Sequence, residues 1–506
     1  MKKLLCLALA AVMVLSMCAC SSDKGGDADG DGYKDEIIFC QGSDLTTLDP
    51  TYSSQERAYS LYRQIFEPLV AYDTDLNLVP CLATEWSWSE DNTDLSFTLR
   101  EGVTFHDGSA FTGEDVAYTM DVADSYGKFG GTYESTEVVD DTHVIIHLNA
   151  PNPSVIYTLT SPEMSIVPSD VHSADPDAFK FAPVGTGPYK FSTYEEGSYY
   201  TVERYDDYWG EKPKTQKITL KIVPEASQRT ILLQTGEVDV AYEVPLSDID
   251  SLTSSGDYEV LTCPSMKMVF MEFNCASDGP LGNSLVRQAI ACAIDKNVIV
   301  DNLLYGYGTA ADCFIPTTAH DYMETEFNTY NLDLAKQYMK EAGYEDGFSF
   351  TLWVNTNQTY QEIASVIADQ LAEINIDVNI VVQDDNTSFT LIEARDPSFE
   401  AILDFWQTCS GHADYAFRGA LLSTATGNFS LYNNPDFDAT YYEYASTPEG
   451  PERDALLAEL YGYLTKDTPS VVLYNEVKYV AVRSDLEGLE LSQIGAHYYG
   501  NAYIAE

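Results

Sequence analysis

Cysteine, histidine and clustered carboxylates are the side chains here with reactive potential, and their spacing limits the chemistry. Ten cysteines occur in 506 residues. Cys6 and Cys18 fall in an N-terminal stretch that begins Met1-Lys2-Lys3 and runs apolar from Leu4 to Met17, broken only by Ser16. A run this short and abruptly ended reads as a secretory signal, not a spanning helix. The small Ala19 immediately before Cys20 suits signal cleavage with lipid attachment to the Cys20 thiol, whereas modification of Cys18 would need cleavage after the bulky Met17. Two acyl chains on one cysteine suffice for stable anchoring. Seven cysteines remain: Cys40, Cys81, Cys263, Cys275, Cys292, Cys313 and Cys409. The odd number leaves at least one thiol free in any intramolecular pairing. No CxxC pair occurs, so zinc and dithiol-redox readings lack their usual spacing.

The other reactive groups are equally restrictive. The histidines are His106, His143, His147, His172, His320, His412 and His497, and none forms HExxH. There is no GxSxG and no Walker-A pattern, and acids are too abundant to single out a catalytic pair. No catalytic residue, cofactor or metal is therefore assigned. Asp27, Asp29, Asp31, Gly32 and Asp35 imitate the early part of an EF-hand loop, but Ile38 stands where the bidentate acid belongs. Residues 20–35 read instead as the lipidated cysteine and a flexible acidic linker, after a signal at 1–19.

The chain behind these residues is long enough for more than one lobe. Hydrophobic residues make up 45%, so it is globular. The formal net charge of −53, from 80 acids against 27 bases, excludes nucleic acid and anionic headgroups as partners. Phe348, Phe350, Leu352 and Val354 alternate as in a strand. Ile363, Ile367, Leu371 and Ile374 have helical spacing, and alternation returns at Ile376, Val378, Ile380 and Val382. Strand, helix, strand in so short a span predicts a βαβ unit with parallel strands. Further helices are predicted over 331–343, 284–294 and 452–464, and strands over 95–99 and 144–148. The whole reads as α/β with mixed sheets.

Several stretches then carry a resemblance. They are Thr47-Leu48-Asp49-Pro50; Ala83-Thr84-Glu85-Trp86 leading to residues 97–108, Phe-Thr-Leu-Arg-Glu-Gly-Val-Thr-Phe-His-Asp-Gly; and Pro183-Val184-Gly185-Thr186-Gly187-Pro188-Tyr189. Thr235-Gly236-Glu237-Val238-Asp239, residues 286–290 with 293–296, and Glu341-Ala342-Gly343-Tyr344 follow in order. Together they resemble bacterial extracellular solute-binding protein family 5, the oligopeptide-, dipeptide- and nickel-binding group. Residues 17–20 resemble its lipobox, with Met17 where Leu is usual. The motifs themselves read as structural: Asp107-Gly108 is a turn with His106 hydrogen-bonded beside it, Trp86, Phe97 and Phe105 are core, and Gly185-Thr186-Gly187 is a turn into a strand.

The resemblance implies a two-lobed periplasmic-binding-protein-like (type II) fold. Lobe I would comprise 36–67, 184–274 and 480–506, with an inserted subdomain at 68–183, and lobe II would comprise 275–479. It implies a monomeric lipoprotein on the extracytoplasmic face of the cell membrane, held by its N-terminal lipid and delivering a peptide or peptide-like solute to ABC permease subunits. Nickel or a metal chelate is the alternative solute; a surface hydrolase or a non-transport sensor stands behind both. Expected ligand contacts are Asp44, Leu45 and Thr46, then Glu243, Phe270 and Asn274, then Asp404, Trp406 and Cys409, and lastly Tyr474. Peptide-binding relatives carry Asp three residues after such a Trp, to meet the peptide α-ammonium; here Cys409 stands there.

Overall fold

The computed structural model describes residues 32–52, 56–324 and 328–505. Cys20, the signal and most of the acidic linker lie outside them. Among the described residues, an eleven-stranded mixed sheet runs through both lobes. Four of its strands matter here: β1 (Glu36–Gln41), β2 (Tyr258–Phe273), β3 (Ala401–Gln407) and β4 (Ser470–Arg483).

β2 and β4 are the long ones, at 16 and 14 residues, and both pass from one lobe to the other. They pair antiparallel from Tyr258 opposite Arg483 to Glu272 opposite Ser470. On the lobe I side, Val480, Ala481 and Val482 of β4 also pair with Val240–Tyr242, which in turn pairs with β1. On the lobe II side, Lys267–Phe273 of β2 pair with β3. The register breaks between Pro264 and Met268. Pro264 has no N–H to give to the ladder. At the break the backbone turns to other partners: Met266 donates to Gln493 O at 2.9 Å and accepts from Thr408 N at 3.2 Å.

The predicted βαβ unit is present. Phe348–Val354 and Ile376–Val382 pair in parallel, Phe348 opposite Ile376, with the helix Gln358–Leu371 between them. Ile363, Ile367, Leu371 and Ile374 are buried, each worth roughly 1.5–3 kcal/mol of apolar transfer. The next-door helix Leu332–Glu341 starts where Asn331 accepts from Leu334 N at 3.0 Å and stops at Gly343, whose φ is +83°. The strands predicted near 95 and 144 lie together in a four-stranded antiparallel sheet.

The motif residues behave as structure. His106 Nε2 bonds Gly187 O at 2.9 Å and its Nδ1 accepts from Gly185 N at 3.2 Å. Burial holds its imidazole down to about 4. A Cβ on Gly185 would stand 2.0 Å from Ile65 O, and one on Gly187 2.5 Å from Gln64 O. Only glycine lets this turn lie against α1 (Glu56–Ile65), the helix that brings Tyr59 to the site. Phe97 and Phe105 are fully buried, and Trp86 is half-buried against the same core.

Candidate functional site

A cavity of about 680 Å³ lies between the lobes where β2 and β4 cross. Gln41, Gly42 and Ser43 line it from the end of β1, and Glu56, Arg57, Tyr59 and Ser60 from α1. Lys267 comes from β2 and residues 476–480 from β4. Phe405, Trp406 and Gln407 end β3 and face them from lobe II. The crossing strands thus place groups of both lobes around one space.

Trp406 is set by two glycines. A Cβ on Gly419 would stand 2.5 Å from its Cζ2, and one on Gly427 3.0 Å from its Cζ3. The benzo edge therefore rests on bare backbone, and no side chain could be tolerated at Gly419 without moving the ring. The indole Nε1 is buried and has no hydrogen-bond partner. Both amide atoms of Gln407 are buried and unpartnered as well. Leaving such groups dry costs about 1–3 kcal/mol each, so they are the atoms a bound molecule would satisfy.

The charges lining the cavity are mostly paired with one another. Lys478 bonds Glu56 closely and lies 2.8 Å from Glu476, and Lys267 lies 3.5 Å from Glu476. Burial alone would raise Glu476, but the two ammoniums outweigh it and hold the carboxyl at about 2. Burial, with Lys478 and Arg63 nearby, presses His497 down to about 3, so this lining residue is neutral. Its Nδ1 accepts from Ser492 N at 2.9 Å.

Cys409 also lines the cavity. Tyr59 donates to Glu163, which is paired with Lys128; the Cys409 Sγ lies 3.2 Å from Tyr59 Oη and donates to Gln407 O at 3.6 Å. Burial and the Glu163 charge push the thiol up to about 12. It is a neutral hydrogen-bonding group and a poor nucleophile. Glu243 stands at the lobe I side with φ +50°, an unfavourable conformation for a residue with a Cβ. Buried Arg229 holds it: the guanidinium donates to Tyr242 O, Val223 O, Pro224 O and Glu243 O at 2.6–3.0 Å. The Glu243 side chain itself is 75% exposed.

Of the residues expected from sequence, the fold brings Glu243, Trp406 and Cys409 to the cavity. Asp44 is engaged elsewhere, accepting from Tyr200, from Gly197 N at 2.6 Å and from Tyr194 at 3.3 Å, with burial outweighed so that its carboxyl is lowered. Leu45 is buried and Thr46 is exposed outside the lining; their neighbours 41–43 face the cavity instead. Phe270 packs on Phe314 at 4.8 Å. Asn274 donates to Phe399 O and organises the turn after β2. Asp404 lies outside the cavity lining although alternation gives it the same strand face as Trp406, two residues on; it is buried, bonds Phe405 N and is pushed up to about 7 by burial. Tyr474 is buried in the lobe II core. Gln407, Tyr59, Lys267, Glu476 and Lys478 were not anticipated. Gln407 adjoins Trp406 and could have been. The others needed the strand crossing.

A second polar cluster lies outside the cavity lining. His320, Asp321 and His412 have ligand-capable atoms within 4.8 Å of one another. Asp321 already accepts from Tyr444 and from His412 Nε2 at 2.8 Å, with the Arg453 guanidinium 3.7 Å away. A cation would have to displace that guanidinium. Tyr157 stacks on His412 at 4.5 Å, so the cluster ties the helix Val155–Thr158 to the segment that follows β3. His143 and His147 bond separate strand carboxylates. No described helix is long and apolar enough to cross a membrane.

Residues 77–428 match the profile of the bacterial extracellular solute-binding proteins, family 5, middle region. The glutathione-binding protein GsiB of Pectobacterium atrosepticum is 28% identical over 457 residues, 87% of this chain and 88% of that protein. In fold, the ABC transporter substrate binding protein CtaP of Listeria monocytogenes superposes with a TM-score of 0.85 at 24% identity, over 94% of this chain and 100% of that one. A dipeptide binding protein from a Pseudoalteromonas species, in complex with Met-Leu, gives 0.81 at 23% identity over 92% and 99%.

Proposed function

The chain belongs to the bacterial extracellular solute-binding proteins of family 5, and we propose that it captures a short peptide or peptide-like solute between its lobes and hands it to an ABC permease. One observation carries the solute class: Trp406 and Gln407 line the inter-lobe cavity, and their indole Nε1 and side-chain amide, buried at its wall, have their hydrogen-bonding capacity unspent. A peptide offers carbonyls and N–H groups to both, and apolar side chains to the aromatic walls. A solute touching both lobes favours the closed arrangement by its differential affinity. The role needs no catalytic group, and the neutral Cys409 thiol supplies none. Cys20 would tether the receptor as a monomeric lipoprotein at the extracytoplasmic face, with the acidic segment as its leash.

Native mass spectrometry of protein purified without denaturation tests the reading. A retained peptide mass is the expected result. A retained metal ion, or turnover of a bound molecule, would overturn it. For the tether, Cys20→Ala should move the protein from the membrane fraction to the medium; continued membrane retention would refute lipidation.

A further inference from the structure

We propose that the cleft recognises its solute through a neutral internal amide, read by Gln407 and Trp406, and not through a charged terminus. The inference rests on the peptide reading above and sharpens it to a class: amide-bearing solutes whose ends are free or blocked alike.

The cavity's polar atoms separate into two sets. Lys267, Lys478, Glu56 and Glu476 form one continuous ion network along the crossing strands and α1. A charged solute group entering there would have to break an existing pair. Glu476 Oε2 makes no hydrogen bond but is held in that network, 2.8 Å from Lys478 Nζ; the other unspent atoms of the lining are neutral: the Trp406 N–H, and the oxygen and nitrogen of the Gln407 amide. A side-chain amide with both ends free matches a peptide unit, accepting from its N–H while donating to its carbonyl. Exchanging the Gln407 oxygen and nitrogen leaves that match intact. The indole N–H adds a donor for a neighbouring carbonyl. A carboxylate could use the donors but would leave the Gln407 oxygen unpaired; an ammonium would leave both donors unpaired. Arg57 and Glu243 are exposed, where solvent and salt weaken their hold on a terminus.

The test is a competition read by native mass spectrometry. An equimolar mixture of tripeptides built from Ala, Leu, Ser, Glu and Tyr competes with the same mixture N-acetylated and C-amidated. Retention of the two sets within fivefold is expected; a preference of fivefold or more for free termini would overturn the inference while leaving peptide capture standing. Gln407→Glu keeps the side-chain shape but loses the donor, and should cut retention of both sets at least tenfold. Retention like that of the unaltered protein would overturn the assignment to Gln407. Retention of neither set by the unaltered protein would remove the peptide reading, and this inference with it.

Discussion

Replacing Gly419 by alanine should move Trp406 without touching any other residue of the cavity wall. The added Cβ would stand 2.5 Å from Cζ2 and 2.7 Å from Cη2 of the indole. Carbon atoms rest at about 3.5–4.0 Å, so the ring must shift by roughly 1 Å. Gly427 lies against the same benzo edge, 3.0 Å from Cζ3 by the same construction, which limits retreat into lobe II. The ring therefore moves toward the cavity, carrying Nε1 with it. A hydrogen bond of about 2.9 Å stretched by about 1 Å is no longer one. Losing it costs about 1 kcal/mol net, and spoiled packing in the cavity adds a similar amount, so affinity should fall roughly 10- to 30-fold. Stability should fall by up to about 2.5 kcal/mol: overpacking costs about 1–3 kcal/mol, offset only in part by about 0.5–1 kcal/mol from the lost glycine freedom. Gly462, on an exposed helix position with open space around it, is the control; its alanine variant should bind normally. Calorimetric titration with a tripeptide that the unaltered protein retains gives the affinities, and thermal unfolding gives the stabilities. If the Gly419 variant bound within twofold of the unaltered protein, the wedged placement of Trp406 and its ligand role would both be wrong.

Other perturbations probe the supporting parts. Arg229→Met strips four carbonyls of their donor, at about 1–3 kcal/mol each, so urea unfolding should show a loss above about 4 kcal/mol; a loss under about 1 kcal/mol would refute the keystone role. His497 is held neutral to about 3, so the unfolded chain takes the proton first; its contribution is full above pH 6.5 and fades as pH falls toward 3. Melting temperatures of His497→Gln should accordingly decline less between pH 7 and 4 than those of the unaltered protein, and parallel curves would contradict this. Glu67 has the opposite sign: burial raises it to about 7, against its bonds from Trp209, Tyr208 and Thr186. Its contribution is full below about pH 4.5 and is lost as pH rises through 7, so Glu67→Gln should gain relative stability at pH 8 over pH 5; no gain would refute the assignment.

The sequence by itself determined those features that repeat at short range. Alternation and helical spacing placed the parallel βαβ unit because each side chain's face follows from its position in the period. His106 and the Gly185-Thr186-Gly187 turn were legible as structure because turns are written in consecutive residues. Trp406 and Cys409 were found through a motif, and Glu243 through its place after one. Tertiary structure decided the rest. The inter-lobe cavity exists because two strands about 200 residues apart in sequence, β2 and β4, cross as neighbours, and no local pattern encodes their pairing. That pairing puts Lys267 beside Glu476 and Lys478, turning charges that sequence leaves unassigned into a closed ion network. It also decides how much of β3 reaches the cavity: Phe405, Trp406 and Gln407 at the strand end line it, while Asp404, just before them, is buried outside the lining. The seven remaining cysteines, an odd set in sequence, are all free thiols in the fold. Cys409 takes its character from Tyr59 and Glu163, which lie hundreds of residues away in the chain. Burial and hydrogen bonding are sums over neighbours in space, and those neighbours come from the fold.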